Sequence, residues 1–196
     1  MKHFFILFCT LVLSSCAYTT QEANLTANVD VGASDIGGDT LLKIKVVDER
    51  TSLGLGNRGS AMMKGAKITS DQDIPGLIQS ALLEAYTLKS FSVTEMANLN
   101  PVNMRIDLRE LNYSTSTGFW TGGVHTIAAA KVSVEDNEFE KMFTSENEER
   151  VMFVPGAGKN EKLLNQILND LITKIVNDQE LTQALISVNK KGQVAD

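Results

Sequence analysis

Catalysis and metal binding need nucleophiles, bases or clustered ligands, and this chain offers few of them. Its histidines are His3 and His125, and its cysteines are Cys9 and Cys16. His125 sits in Gly122-Gly123-Val124-His125-Thr126, which has neither a nucleophile elbow nor the paired-histidine spacing of a zinc helix. It reads as a solvent-facing strand residue. Gly54-x-Gly56-x-x-Gly59 has the spacing of a dinucleotide loop, but such a loop must open a helix and be followed by an acidic residue about 20 positions on. Here Ser60-Ala61-Met62-Met63-Lys64-Gly65 follows, so a flexible hairpin or loop is expected. Asp48 and Arg50 lie two apart on a strand and share a face. They either pair with each other at the strand end or bracket a carboxylate partner. Glu146-Asn147-Glu148-Glu149-Arg150 lacks the spacing of a calcium loop and reads as a solvated hairpin tip. The segment from Ser114 to Gly123 places Phe119 and Trp120 among glycines and hydroxyl residues. Exposed aromatics of this size mark contact surfaces, so Phe119 and Trp120 are candidate partner contacts. The alternative is that Trp120 folds back as a plug over one end of a sheet. No catalytic set, cofactor site or metal site emerges, and a non-enzymatic protein is expected.

The cysteines carry a different chemistry. Met1-Lys2-His3 is a short positive start, Phe4 to Leu13 is an apolar run, and Ser14-Ser15 are small residues before Cys16. That is the three-part layout of a secretory signal peptide. The apolar run is about half the roughly 20 residues a membrane-crossing helix needs. Leu13-Ser14-Ser15-Cys16 matches the bacterial lipobox, in which the Cys thiol receives a diacylglyceryl group, the chain is cut before that Cys, and the new amino group is acylated. The alternative is an ordinary signal peptide with a chance cysteine. On the lipobox reading residues 1–15 are discarded and Cys16 is the lipidation site, its membrane lipid the first expected partner. Stable attachment takes more than one acyl chain, which a triacylated cysteine supplies. Cys9 then leaves and Cys16 is blocked, so a thiol nucleophile and a disulfide are both excluded. Ala17, not aspartate, follows Cys16, which by the usual bacterial sorting rule directs the protein to the outer membrane, on its periplasmic face.

The whole chain has 196 residues, 43% of them hydrophobic and 21% charged, with a formal net charge of -6. This composition belongs to a folded chain with a real core. An acidic balance without a clustered Lys/Arg footprint excludes nucleic acid as the main partner. Residues 17–40 are rich in Thr, Asn, Asp, Ala and Gly. With Cys16 they read as a flexible tether over 16–40, spanning about 80 Å if extended. Leu25, Ala27, Val29 and Val31 alternate, however, as an edge strand would.

A domain over 41–188 must position everything else. Leu42, Ile44 and Val46 alternate with Lys43 and Lys45 as in a half-buried strand, and Ala66-Lys67-Ile68 suggests a short second one. Asp71 or Asp73 is a plausible N-cap for a helix over about 73–89, with Pro75 in its first turn. Strands are expected at 91–93, from Val102 with a β-bulge near Arg109-Glu110, at 124–134 and at 139–153. Leu163 to Val176 has helical periodicity, and Asp178 caps a last short helix, leaving 189–196 as a polar tail. The fold expected is α+β, a mainly antiparallel sheet packed by a long central helix and a C-terminal helix.

The order lipobox, polar tether, Val46-x-Asp48-x-Arg50-Thr51, long helix, Pro101-Val102-Asn103, hairpin and C-terminal helix resembles the YajG-type bacterial lipoproteins. The resemblance implies an outer-membrane-anchored periplasmic α+β domain without established enzyme activity. Two functions follow as expectations. One is an interaction or envelope-assembly accessory that docks on another envelope protein. The other is a binder of a small amphiphile or cell-wall fragment held between sheet and helices.

Overall fold

Apolar residues recurring every second position build most of the sheet, and those recurring every third and fourth build the helices that cover it. A computed structural model describes residues 19–59, 65–94, 96, 99–117, 122–135, 137–151 and 155–194. Among the described residues eight strands form one sheet: β1 (Gln21–Glu22), β2 (Leu41–Asp48), β3 (Gly56–Arg58), β4 (Ala66–Thr69), β5 (Ser92–Val93), β6 (Val102–Thr117), β7 (Gly122–Val134) and β8 (Glu140–Val151). The helices are α1 (Ile74–Leu88), α2 (Ala157–Val176) and α3 (Gln179–Val194).

The sheet is mixed, which corrects the expectation of a mainly antiparallel one. β6, β7 and β8 form an antiparallel meander. β2 runs parallel to β6 from Leu42 opposite Val102 to Asp48 opposite Leu108. The chain between them carries α1 over the sheet, and such a crossover returns the strand in the same direction. Alternation in a strand reports which face is buried, not which way the neighbour runs. The helix expected to be long and central is α1, with 15 residues, whereas α2 has 20. The polar tail is shorter than expected, because α3 continues to Val194.

Local signals explain the helices. The Asp73 side chain accepts a hydrogen bond from the Gly76 N–H at 3.1 Å and Pro75 fills the first turn, so two unpaired donors of the helix start are dealt with. Asp178 accepts from the Leu181 N–H at 2.8 Å and opens α3 in the same way. The stripes Ile74, Ile78, Ala81, Leu82 and Ala85 of α1, and Leu164, Ile167, Leu168, Leu171 and Ile172 of α2, are buried. They meet Leu42, Ile44, Met104, Ile106, Leu108, Ala128, Ala130 and Val132 of the sheet in one core. The other face of these strands bears Lys43, Lys45, Arg105, Arg109, Met142 and Thr144, all partly or fully exposed.

The N-terminal segment is not the free tether that composition suggested. Gln21 and Glu22 pair in parallel with Ile68 and Thr69 of β4. Beyond them Ala23, Leu25 and Val31 are buried and Asn24, Thr26, Asn28 and Asp30 are exposed. The alternation is that of a strand, but residues 25–31 pair with no strand among the described residues. Their backbone is held by side chains. The N–H groups of Asn24, Thr26 and Asn28 donate to Glu161 Oε2, Asn165 Oδ1 and Asn169 Oδ1 of α2, at 2.8, 2.9 and 3.1 Å. Two residues of extended chain advance about 6.6 Å and four residues of helix about 6 Å, so the two series stay in step. Gln72 Nε2 donates to the Leu25 carbonyl at 3.0 Å from the other side. Composition could not foresee this, since the amides that satisfy the strap lie some 140 positions away.

Candidate functional site

The most distinctive local geometry lies where the edge of β6 changes partners. β2 ends with Asp48 opposite Leu108, and β3 takes over with Gly56 opposite Tyr113. Between them, Arg109 to Asn112 have strand neighbours only on the β7 side, where the register shifts between Leu108 and Glu110. The bulge expected from the change of parity at Arg109-Glu110 is there. Bulges bend a strand and re-aim its side chains. The chain from Glu49 to Leu55 bridges the gap, closed by the Glu49 N–H to Leu108 carbonyl and Tyr113 N–H to Leu55 carbonyl bonds at 2.9 and 2.8 Å. Gly56 has φ +126°, and a Cβ there would lie 1.9 Å from the Tyr113 carbonyl oxygen. Only glycine fits.

The result is a cleft of about 650 Å³, lined by Arg50, Thr51, Ser52, Gly54, Gly56, Asn57, Lys67, Ile68, Thr69, Arg109, Glu110, Leu111 and Asn112. Asp48 and Arg50 form the two-point pair at its inner end. Arg50 Nε donates to Asp48 Oδ1 at 2.9 Å and Nη2 to Oδ2 at 2.8 Å. The planar fork fits a carboxylate in this manner. Hydrogen bonds from the Arg50 side chain hold the Asp48 carboxyl below its ordinary pKa, against burial, which pulls it up. The Arg50 side chain is only 4% exposed, and its third nitrogen, Nη1, is buried without an acceptor.

A second charge cluster borders the cleft. Arg105, Asp107 and Arg109 share one face of β6, and Glu49 reaches them from the end of β2. Arg105 Nη2 and Arg109 Nη1 bind the two Glu49 oxygens at 2.9 and 2.7 Å, and Arg105 Nε binds Asp107 Oδ1 at 2.7 Å. The i, i+2 spacing of Arg105, Asp107 and Arg109 signals a shared face. The link to Glu49 had no local signal, because it depends on the parallel register of β2 and β6.

The other sequence candidates fall elsewhere. His125 Nε2 lies 2.7 Å from Glu146 Oε1 on the next strand, outside the cleft. Glu146 to Arg150 form part of β8, not a hairpin tip, so the expectation there is corrected: alternating Phe143 and Ser145 continue the strand through them. Gly54 and Gly56 line the cleft; a flexible hairpin or loop was expected of this segment, and Gly56 opens β3, which pairs antiparallel with β4. Cys16, Phe119 and Trp120 lie outside the described residues. Among the described residues no three His, Cys, Asp or Glu side chains form a metal-holding group, and no helix is long and apolar enough to cross a membrane.

A buried polar relay joins the strap to the core. Tyr113 Oη donates to Asn160 Oδ1 at 2.7 Å, Asn160 Nδ2 to Gln21 Oε1 at 2.9 Å, and Gln21 Nε2 to the Ala157 carbonyl at 2.9 Å. Burial pushes the Tyr113 hydroxyl up to about 12, so it remains a donor across the physiological range. Neither Gln21 nor Asn160 was marked in the sequence as more than a polar residue.

Residues 27–186 match the model of a family described as an uncharacterized lipoprotein. No curated protein matches the chain. Among solved structures, an uncharacterized protein is similar at 11% identity and TM-score 0.49, over 80% of this chain and 97% of that one. A Helicobacter pylori protein named as a homolog of a neuraminyllactose-binding hemagglutinin is similar at 10% identity and TM-score 0.47, over 86% and 99%. Lipoprotein GNA1162 from Neisseria meningitidis is similar at 14% identity and TM-score 0.27, over 70% and 98%.

Proposed function

The chain belongs to this uncharacterized lipoprotein family, and from that premise we propose that it is an accessory protein anchored through acylated Cys16 to the outer membrane, on the periplasmic face. It works by docking another envelope protein, not by catalysis. The observation that carries the anchoring is the Leu13-Ser14-Ser15-Cys16 lipobox together with the lipoprotein family match over residues 27–186, and the docked strap sets where an anchor would hold the domain. Gln21 is already part of the sheet, so no more than five Cα steps, at most about 18 Å, separate it from Cys16. A lipid on Cys16 would therefore hold the β1–β4 edge close against the membrane surface. The docking role draws on the sheet face that bears Lys131 and Met142, cross-strand from Asp107 in the Arg105–Glu49–Arg109 cluster, and on Phe119 and Trp120 as the aromatic residues of the Ser114 to Gly123 sequence segment. The remaining expectation, an amphiphile between sheet and helices, draws less support, because Leu42, Ile106, Leu108, Leu164 and Leu168 are packed to at most 1% exposure in that interface.

Two measurements test the reading. Cells fed radiolabelled palmitate should label the wild-type protein and not Cys16→Ser, with the label sedimenting with outer-membrane fractions. Label on the Cys16→Ser chain, or sedimentation with inner membranes, refutes the anchoring. Native pull-down from detergent-solubilised envelopes should recover a specific partner that Trp120→Ala loses, and an unchanged partner list removes Trp120 from the surface.

A further inference from the structure

We propose that the cleft at the β6 bulge binds a phosphate group, carried by a lipid headgroup or free in solution. Three observations point there. First, the lining carries Arg50, Lys67, Arg109 and Glu110, and the bordering carboxylates Asp48, Glu49 and Asp107 are each committed to an arginine. Lys67 makes no ion pair among the described residues, so its charge is uncommitted, whereas Arg109 is paired with Glu49 and Asp107. Secondly, Arg50 is a buried guanidinium locked by Asp48 with one nitrogen left without an acceptor. A buried unpaired donor on a charged group is costly, and because Arg50 lines the cleft, a side-chain shift that brought Nη1 to its surface would let an oxyanion supply the acceptor. Thirdly, the volume of about 650 Å³ lies in the range of small-ligand sites. Asn57, Asn112, Thr51 and Ser52 add neutral polar groups to the lining.

The site also has an address. Its lining residues Ile68 and Thr69 are the cross-strand neighbours of Gln21 and Glu22. If Cys16 is acylated, as the proposed function holds, the cleft stands within reach of headgroups. The phosphate chemistry does not depend on that, and the two readings fail separately.

The test uses the full mature chain in neutral detergent, titrated with inorganic phosphate by calorimetry. Saturable binding is expected, about tenfold weaker in Lys67→Gln, which is an exposed change that leaves the fold alone. Arg50→Lys keeps a charge for Asp48 but loses the fork and should also weaken binding. Glu110→Gln should tighten it. The Cys16→Ser chain should bind phosphate as the lipidated one does. Mixed with vesicles, that chain should bind phosphatidylglycerol over neutral phosphatidylcholine in a Lys67-dependent way if the phosphate comes from a headgroup. Phosphate binding without that difference assigns the site to a soluble phosphate. No saturable binding of phosphate, or binding unaffected by both Lys67→Gln and Arg50→Lys, overturns the proposal.

Discussion

The strap at residues 21–31 and the meander of β6, β7 and β8 are both extended chain with alternate residues inside, yet they are held by different means. In the meander each strand spends its backbone donors and acceptors on a neighbouring strand. Beyond β1, the strap spends them on Glu161, Asn165, Asn169 and Gln72. Alternation therefore reports burial and says nothing about pairing. The side-chain ladder can be dismantled one residue at a time without touching the sheet, whereas the backbone ladder cannot.

The largest effect that tests this comes from truncating one leucine in each region. Leu108→Ala, in the middle of the sheet, should lower global stability by about 3 kcal/mol. Leu25 is equally buried, but Leu25→Ala should lower it less, because its cost is capped by the free energy of docking the strap. Urea unfolding separates the two: Leu108→Ala moves the midpoint at constant slope, and Leu25→Ala also lowers the slope, since less surface remains to be exposed. Equal losses at equal slope would mean that strap and sheet open as one unit.

Acid should divide the regions next. Asp48 is held below its ordinary pKa chiefly by the Arg50 side chain. Burial of Asp178 pulls its carboxyl up, but Lys141 and the Leu181 and Glu180 N–H groups together bring it below the ordinary value. A carboxyl with a lowered folded pKa stabilises the fold above its unfolded value, and that stability is lost as pH falls through the folded one. Stability should therefore decline below about pH 4, and Asp178→Asn should flatten the decline while costing at most about 1 kcal/mol at neutral pH through the lost Lys141 charge pair, the Asn side chain keeping the α3 cap. Three of the four side chains that hold the strap are amides without a titration. Exchange protection of the Thr26 and Asn28 amides, relative to that of the body, should accordingly change little over the same range.

What the sequence made legible follows the same division. Period-2 alternation located β2, β6, β7 and β8, and the parity change at Arg109-Glu110 located the bulge. Asp73, Pro75 and Asp178 located two helix starts. Each signal is local and is read within a few residues. The parallel register of β2 on β6 was not legible, and neither was the gap it leaves, so the cleft remained invisible although Asp48, Arg50 and Gly56 had each been singled out. The strap was misread for the same reason. Its Asn and Thr residues match a solvated linker in composition, and only the helix brought beside them by the fold turns alternate N–H groups into a bonded series.

The smallest effect separates a hydrogen bond from mere proximity. Asn165 accepts from the Thr26 N–H through Oδ1 at 2.9 Å, while its Nδ2 stands 3.5 Å from the Asn24 carbonyl, at the limit of a bond. Asn165→Ala removes the acceptor and should cost about 1 kcal/mol, read as about fivefold faster exchange of the Thr26 amide. Asn165→Asp keeps an acceptor of the same reach and loses only the long contact, so its exchange should stay within about twofold of wild type. Neither change should alter the Ile106 or Val132 amides, which belong to the backbone ladder. If Asp and Ala accelerate Thr26 alike, the strap is held by its buried Ala23, Leu25 and Val31 alone, and the match between extended and helical repeats contributes nothing to its docking.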